Sequence, residues 1–218
     1  MAAPAQVWAI VVAGGSGRRF GQLKQFALLA DRSVAQWSVA ACRPCAAGVV
    51  LVVPPGSEDQ GDCGAEKVVV GGPTRSASVR CGLAAVPEVA DVIIVHDAAR
   101  PLAAPSLFTA VAAAAAETGA AICALPVSDT IKRVDDGLVT ETLDRSTLVA
   151  VQTPQAFEAG LLRRAHASGT EATDDAALVE RLGAAVQVVP GDAGNFKITT
   201  PADLRTAEQV LGAAGARP

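Results

Sequence analysis

The sequence predicts an α/β fold: a single Rossmann-like domain whose mostly parallel sheet is covered by helices on both faces. Three observations predict it. Short runs such as Val7–Ala13 and Gly48–Val53 are apolar throughout, as strands buried on both faces are. Segments with helical periodicity separate these runs, in the rhythm of βαβ units. The chain has 218 residues, half of them hydrophobic, which suits one domain (1–218) with a full core.

The elements follow in order. Val7–Ala13 is the first strand, broken by Gly14-Gly15-Ser16-Gly17. Ser33–Cys42 reads as a helix with a serine N-cap, and Pro44 ends it. Gly48–Val53 is a strand closed by Pro54-Pro55-Gly56, and the polar stretch to Gly64 is a loop or short helix. Lys67–Val70 is a third strand, Thr74–Ala85 a helix and Val92–Val95 a fourth strand. Ser106–Glu117 is a helix and Ala121–Val127 a fifth strand.

Beyond that point the rhythm changes. Thr130–Thr142 forms two short extended runs around Asp135-Asp136-Gly137, a strong hairpin signal. A lone hairpin is marginal in water, so residues 130–145 read as a protruding β-arm that packs on something, such as another subunit. Val149–Val151 and then Gln152-Thr153-Pro154-Gln155 follow, and Glu158–Ser168 and Thr173–Leu182 are helical. Val186–Val189 is a strand, Asn195–Thr199 another extended piece, and Pro201–Leu211 a closing helix with proline near its first position.

The stretch VWAIVVAGGSGRRFGQLKQ carries the first chemical signal. Glycines at a strand's end let backbone N–H groups point at a ligand, and Arg18, Arg19 and Lys24 add positive charge. A polyanion such as a triphosphate fits that combination. No Gly-Lys-Ser/Thr follows, so the stretch is not a P-loop. Counted from Gly15, the third glycine of a dinucleotide fingerprint would fall on Phe20, and no acid closes the next strand. In a parallel sheet this loop, Gly71–Ser78 and Asp97–Arg100 converge at the strands' carboxyl ends, where ligands bind.

Composition excludes several partners. With 18 basic and 22 acidic residues the net charge is −4, which argues against nucleic acid and anionic membranes. No apolar run is long enough to span a bilayer, and no signal peptide is apparent. Five cysteines, an odd number, suggest reduced thiols and a cytoplasmic setting. Cys42-Arg-Pro-Cys45 has CxxC spacing without a second pair to complete a zinc site.

Taken singly, each cluster has an ordinary reading. Gly71-Gly72 can be a strand-to-helix turn, Asp97 and Arg100 a local ion pair, and Lys197 a solvated edge lysine. In combination AGGSGRR with Lys24, GGPTRSASV, HDAARP, DRSTLVAVQTPQAF, TDDA and NFKITTPADL occur in one order. That order resembles the 2-C-methyl-D-erythritol 4-phosphate cytidylyltransferase family, relatives of the sugar-nucleotide pyrophosphorylases, over about Val7–Leu211. The ribitol-5-phosphate cytidylyltransferases carry similar motifs.

The resemblance implies transfer of CMP from CTP to a polyol phosphate, with release of pyrophosphate, in the non-mevalonate route to isoprenoids. It implies Arg19 and Lys24 as catalytic, with Ala13, Gly14, Gly15, Gly17, Gly72, Ser78 and Asp97 binding CTP. Arg145, Thr153, Thr173 and Lys197 would position the acceptor phosphate. Asp97 would hold Mg²⁺, for which another divalent cation can substitute. The arm would cross to the partner in a homodimer, so that Arg145 serves the neighbouring site. A nucleotide-binding regulatory module without catalysis is the reading from another class. Retention of Arg19, Lys24, Arg145 and Lys197 together argues against it. Neither histidine is needed, because a phosphate monoester with a second pKa near ~6 is already a nucleophilic dianion at neutral pH.

Overall fold

The computed structural model describes residues 5–15, 20–21, 23–61 and 63–215. The first strand, β1 (Val7–Val12), is followed by a short 3₁₀ turn at Lys24–Phe26 and a two-residue hairpin, β2 (Leu28–Leu29) and β3 (Arg32–Ser33). Helix α1 (Val34–Cys42) opens on a capping box in which Ser33 and Gln36 satisfy each other's backbone N–H. Strand β4 (Gly48–Val53), a 3₁₀ turn at Glu58–Gly61 and strand β5 (Lys67–Val70) come next. Thr74 caps α2 (Arg75–Ala85) by accepting from the Ala77 N–H. Then follow β6 (Val92–Asp97) and α3 (Pro105–Thr118), which has proline at its start and left-handed Gly119 (φ 91°) just beyond its end.

The second half contains β7 (Ala120–Pro126), the arm strands β8 (Lys132–Asp135) and β9 (Leu138–Thr142), and a 3₁₀ turn at Arg145–Thr147. It continues with β10 (Val149–Glu158), α4 (Ala159–Ala167), α5 (Ala176–Glu180), β11 (Gln187–Pro190) and α6 (Pro201–Gly215). Seven strands form one sheet in the order β11-β7-β10-β6-β1-β4-β5. All pairings are parallel except those of β10, which runs antiparallel to both β6 and β7.

Period two distributes the core between the two faces. Ala9, Val11, Val49, Leu51 and Ile94 pack on one side with residues of α1 and α3. Ile10, Val50, Val52, Ile93 and Val95 pack on the other with residues of α2, α4 and α5. Both faces are therefore covered, as uninterrupted apolar strands require. A smaller third cluster joins Phe20, Leu29, Val34, Ile198 and Ala207, tying α6 to the segment that follows the glycine loop.

Two segments depart from the sequence reading. The run from Val149 and the Gln152-Thr153-Pro154-Gln155 motif after it form one strand to Glu158, so the motif lies inside the central sheet. Proline cannot donate to a ladder and would normally exclude a central strand. Here the register with β7 breaks between Val151 and Gln155, which leaves Pro154 at the irregularity. Asn195–Thr199, expected as an extended piece, pairs with no strand and packs over the end of β6 through the Ile198 N–H to Ala99 O bond (2.8 Å).

The arm is a hairpin whose residues are all exposed, including Val134, Leu138 and Val139. Among the described residues no helix is long and apolar enough to cross a membrane. The Cys42 thiol is buried, donates to Ser38 O at 3.2 Å, and is pushed up by that burial.

His96, fully buried in β6, stacks obliquely on Phe108 at 4.8 Å. Burial outweighs the favourable field of Asp97 and pushes its imidazole down to about 4. The unfolded chain therefore binds a proton between about pH 6.5 and 4 that the folded chain refuses, and stability falls as pH drops through that window. The loss is on the order of 3 kcal/mol. Urea unfolding of metal-free protein across pH 4–7 should show that slope, and His96→Gln, less stable at pH 7, should flatten it. Equal slopes in both proteins would remove His96 as the cause.

Candidate active site

The sheet's connectivity builds the site. From β1 the chain moves to β4 and β5 on one side, then returns to β6 on the other, so the loops leaving β1 and β6 diverge. This is the switch point at which parallel sheets bind ligands. Register places Val12 of β1 directly beside Asp97 of β6. A cleft of about 430 Å³ opens there. It is lined by Gly14 and Gly15 after β1, Gly72–Arg75 and Ser78 after β5, Asp97 and Ala99, and Phe20, Lys24, Gln25, Lys197 and Thr199.

Glycine is required at position 72 and fills a tight space at position 14. A Cβ on Gly72 would meet the Ala77 Cβ at 2.5 Å, and one on Gly14 would meet the Ser78 Oγ at 3.0 Å. Ser78 itself is held by donating to Thr74 O at 2.9 Å. Lys24 Nζ donates to Ile198 O (2.7 Å) and Gln25 Nε2 to Gly15 O (3.1 Å), so the segment after the loop is tied across the mouth.

Asp97 is the centre of charge. Its Oδ2 receives Lys197 Nζ at 2.5 Å and its Oδ1 receives Arg75 Nε at 3.1 Å. Burial alone would raise this carboxyl, but the Arg75 guanidinium and Lys197 ammonium hold it well below the usual carboxylate range. Arg75 continues to Asp175, Nη1 to Oδ2 at 2.8 Å, and the two carboxylates raise it above its ordinary value against the effect of burial. Asp175 Oδ1 in turn accepts from His166 Nε2 at 3.0 Å.

Beneath Asp97 a second network fixes its backbone. The Asp97 N–H donates to Thr153 Oγ1 at 3.0 Å, and that hydroxyl lies 3.2 Å from His96 Nδ1. His96 Nε2 lies 3.2 Å from Arg100 O. A consistent set of donors follows: Nε2–H to the carbonyl, and the threonine O–H to bare Nδ1. Asn195 Nδ2 donates to Thr153 O (2.9 Å), and Arg100 Nη1 to Asn195 O (2.6 Å). Three sequence motifs far apart in the chain, HDAARP, QTPQ and NFK, are thus one buried polar cluster.

The cleft brings together Lys24, Gly14, Gly15, Gly72, Ser78, Asp97 and Lys197 among the residues the sequence singled out. Ala13 is buried behind them, its N–H on Val52 O. Thr153 is buried as described, under the site rather than on its wall. Thr173 is exposed in the loop before α5, and Arg145 is exposed with its guanidinium on Ser128 O; neither lines this cleft. Gly17, Arg18 and Arg19 lie outside the described residues. The ordinary readings also change: Asp97 pairs with Arg75 and Lys197 rather than Arg100, and Lys197 is an ion-pair partner. Arg75, Asp175 and Thr199 were not singled out as site residues. Arg75 stands inside the GGPTRSASV motif, and only its distance from Asp97 distinguishes it from a solvated helix-start arginine.

The family model described as IspD, 2-C-methyl-D-erythritol 4-phosphate cytidylyltransferase, matches residues 7–213. The bifunctional enzyme IspD/IspF of Anaeromyxobacter dehalogenans is 47% identical over 224 residues, covering 95% of this chain but 58% of its own length. The 2-C-methyl-D-erythritol 4-phosphate cytidylyltransferase of Parasynechococcus marenigrum is 44% identical over 218 residues, covering 93% of this chain and 96% of its own. The crystal structure of the Thermus thermophilus enzyme of the same name superposes with a TM-score of 0.83 at 39% identity. The match covers 95% of this chain and 99% of that one.

Thr153 offers a test of the buried network. Thr153→Val keeps the shape but strips the Asp97 N–H and His96 Nδ1 of their partner, at about 1–3 kcal/mol for each group left unpaired. Thr153→Ser should restore most of that loss. Denaturant midpoints for the two variants check this, and a valine variant as stable as wild type would show that the hydroxyl is dispensable.

Proposed function

The chain belongs to the 2-C-methyl-D-erythritol 4-phosphate cytidylyltransferase family, and from that premise we propose that it makes 4-diphosphocytidyl-2-C-methyl-D-erythritol and pyrophosphate from CTP and 2-C-methyl-D-erythritol 4-phosphate. The observation that carries the proposal is the cleft at the switch point, where a glycine-lined wall faces Lys24, Lys197 and Asp97. The setting would be cytoplasmic, which five cysteines without a disulfide suit.

Backbone groups around Gly14, Gly15 and Gly72, with Ser78, form the nucleotide side of the cleft. The acceptor phosphate, already dianionic near neutral pH, attacks the α-phosphorus without a general base. Two anions must be held in line, and the departing pyrophosphate gathers negative charge as its bond breaks. Lys24, anchored on Ile198 O, would offset that charge, and Lys197 in the same cleft would receive the acceptor phosphate. Arg19 would add to the first role.

The donor set fits Mg²⁺. Asp97 offers a hard carboxylate at the cleft, and no group of three or more potential ligands exists among the described residues. Mg²⁺ commonly binds through one or two carboxylates plus substrate phosphates rather than a protein cage. Asp97 would hold the ion, which would screen the phosphate charges and orient the triphosphate.

Arg145 lies outside its own chain's cleft, directly after an arm that leaves Val134, Leu138 and Val139 exposed. That exposure supports a homodimer in which the arm would pack on a second copy and each Arg145 would serve the partner's site.

Two experiments test these readings. Pyrophosphate release should be fast with CTP and 2-C-methyl-D-erythritol 4-phosphate, and slower by orders of magnitude with ribitol 5-phosphate. The reverse preference would assign the other polyol, and no release with either would favour a regulatory module. Lys24→Ala and Arg145→Ala should each lose on the order of 10²–10³ in turnover. Mixed under subunit exchange, half the dimers are heterodimers with one intact site, so roughly a quarter of sites regain activity if Arg145 acts in trans. Verified exchange without recovery would sink the shared site.

A further inference from the structure

One buried network beside the cleft has no task in the mechanism above: Arg75, Asp175 and His166. The Asp175 and His166 side chains are 1% and 2% exposed, and they lie among Ala165, Ala176, Leu178 and Val179. Burying such groups costs more than pairing reliably returns, and apolar residues could fill the same volume. What the arrangement does determine is where one guanidinium sits, between two carboxylates. Arg75 donates Nε to Asp97 and holds Nη1 2.8 Å from Asp175 Oδ2 in an ion pair without hydrogen-bond alignment, so two edges of a rigid fork face carboxylates. Asp175 cannot swing away, because its other oxygen holds His166 Nε2 from α4.

The second cation on Asp97 is of another kind. Lys197 is a point charge on a flexible stem, 41% exposed, and can hold a carboxylate but not orient it. In the functional reading Lys197 also receives the acceptor phosphate, so its grip on Asp97 has to loosen during turnover. Only Arg75 then keeps the carboxylate in place.

Resting on that reading, we propose that Asp175, backed by His166, is a positioning residue. It locks Arg75 against Asp97, so that the Asp97 carboxylate keeps one orientation toward the cation and phosphates of bound CTP. Asp175 reaches no ligand itself; its whole effect passes through Arg75.

The test begins with calorimetric titration of CTP into wild type, with Mg²⁺ and with EDTA. Asp175→Asn should lower the affinity measured with Mg²⁺ about tenfold, as loss of a partner behind a metal-binding carboxylate does. The affinity in EDTA should stay within about twofold, and kcat should fall about 10–100-fold with little change in the KM for the polyol phosphate. Arg75→Lys, which cannot bridge both carboxylates, should behave alike, and the double variant should be no worse than Arg75→Lys alone. Should Asp175→Asn not fold, His166→Gln should give a smaller loss in the same direction. A lowered melting temperature with unchanged Mg²⁺-dependent affinity and kcat would make the network merely structural and overturn the proposal. So would additive losses in the double variant. Wild type that fails to bind CTP would overturn the functional reading itself, whereas normal CTP binding with unaffected variants overturns only the positioning role.

Discussion

A carboxylate at the end of a central strand has to be paired, and the pairing of Asp97 organises this molecule. Its backbone is set by β6, whose neighbours β1 and β10 flank it on both sides. Its side chain draws in Arg75 from the start of α2 and Lys197 from the segment before α6. Those two cations come from opposite halves of the chain, so the cleft exists only once the whole domain has closed. The same low dielectric that would penalise a lone Asp97 strengthens each of these contacts.

The antiparallel strand β10 is the second constraint. A purely parallel sheet would have left the QTPQ motif on a connecting loop. Inserting β10 between β6 and β7 instead carries Thr153 beneath Asp97 and places Gln152 against the Asp192 and Asn195 carbonyls. The irregularity around Pro154 releases the polar side chains at 152–155 from strict alternation. Gln155 reaches Asp174 at 2.9 Å, which links the sheet to the loop carrying Thr173 and Asp175. Regular strand geometry is thus broken locally to connect three distant segments.

Charge distribution separates the cleft from the arm. Inside the cleft, Asp97 pairs with the partly buried Arg75 and Lys197, so these interactions are strong and little screened by salt. On the arm, Arg133 and Glu141 pair across the hairpin at 2.9 Å while more than half exposed, a contact worth little by itself. Among the described residues, nothing covers Val134, Leu138 and Val139 on the arm, and the proposed homodimer rests on that exposure.

The layered α/β architecture, the helix starts at Ser33 and Thr74, the DDG hairpin and the glycine-lined loop were determined by the sequence alone. They depend on interactions between near neighbours: period, caps and turn chemistry, all within a few residues. The resemblance carried by the motifs also pointed to Asp97, Lys24, Gly72, Ser78 and Lys197, which line one cleft. The tertiary structure decided the rest. That Thr153 lies under the site, that β10 runs antiparallel, and that Arg75 binds Asp97 and Asp175 depend on contacts between residues 22 to 100 positions apart. Nothing in the local pattern of a single chain distinguishes an arginine facing water from one facing a buried carboxylate. Only the packing of α2, α4 and the loop before α5 around one strand end makes that difference.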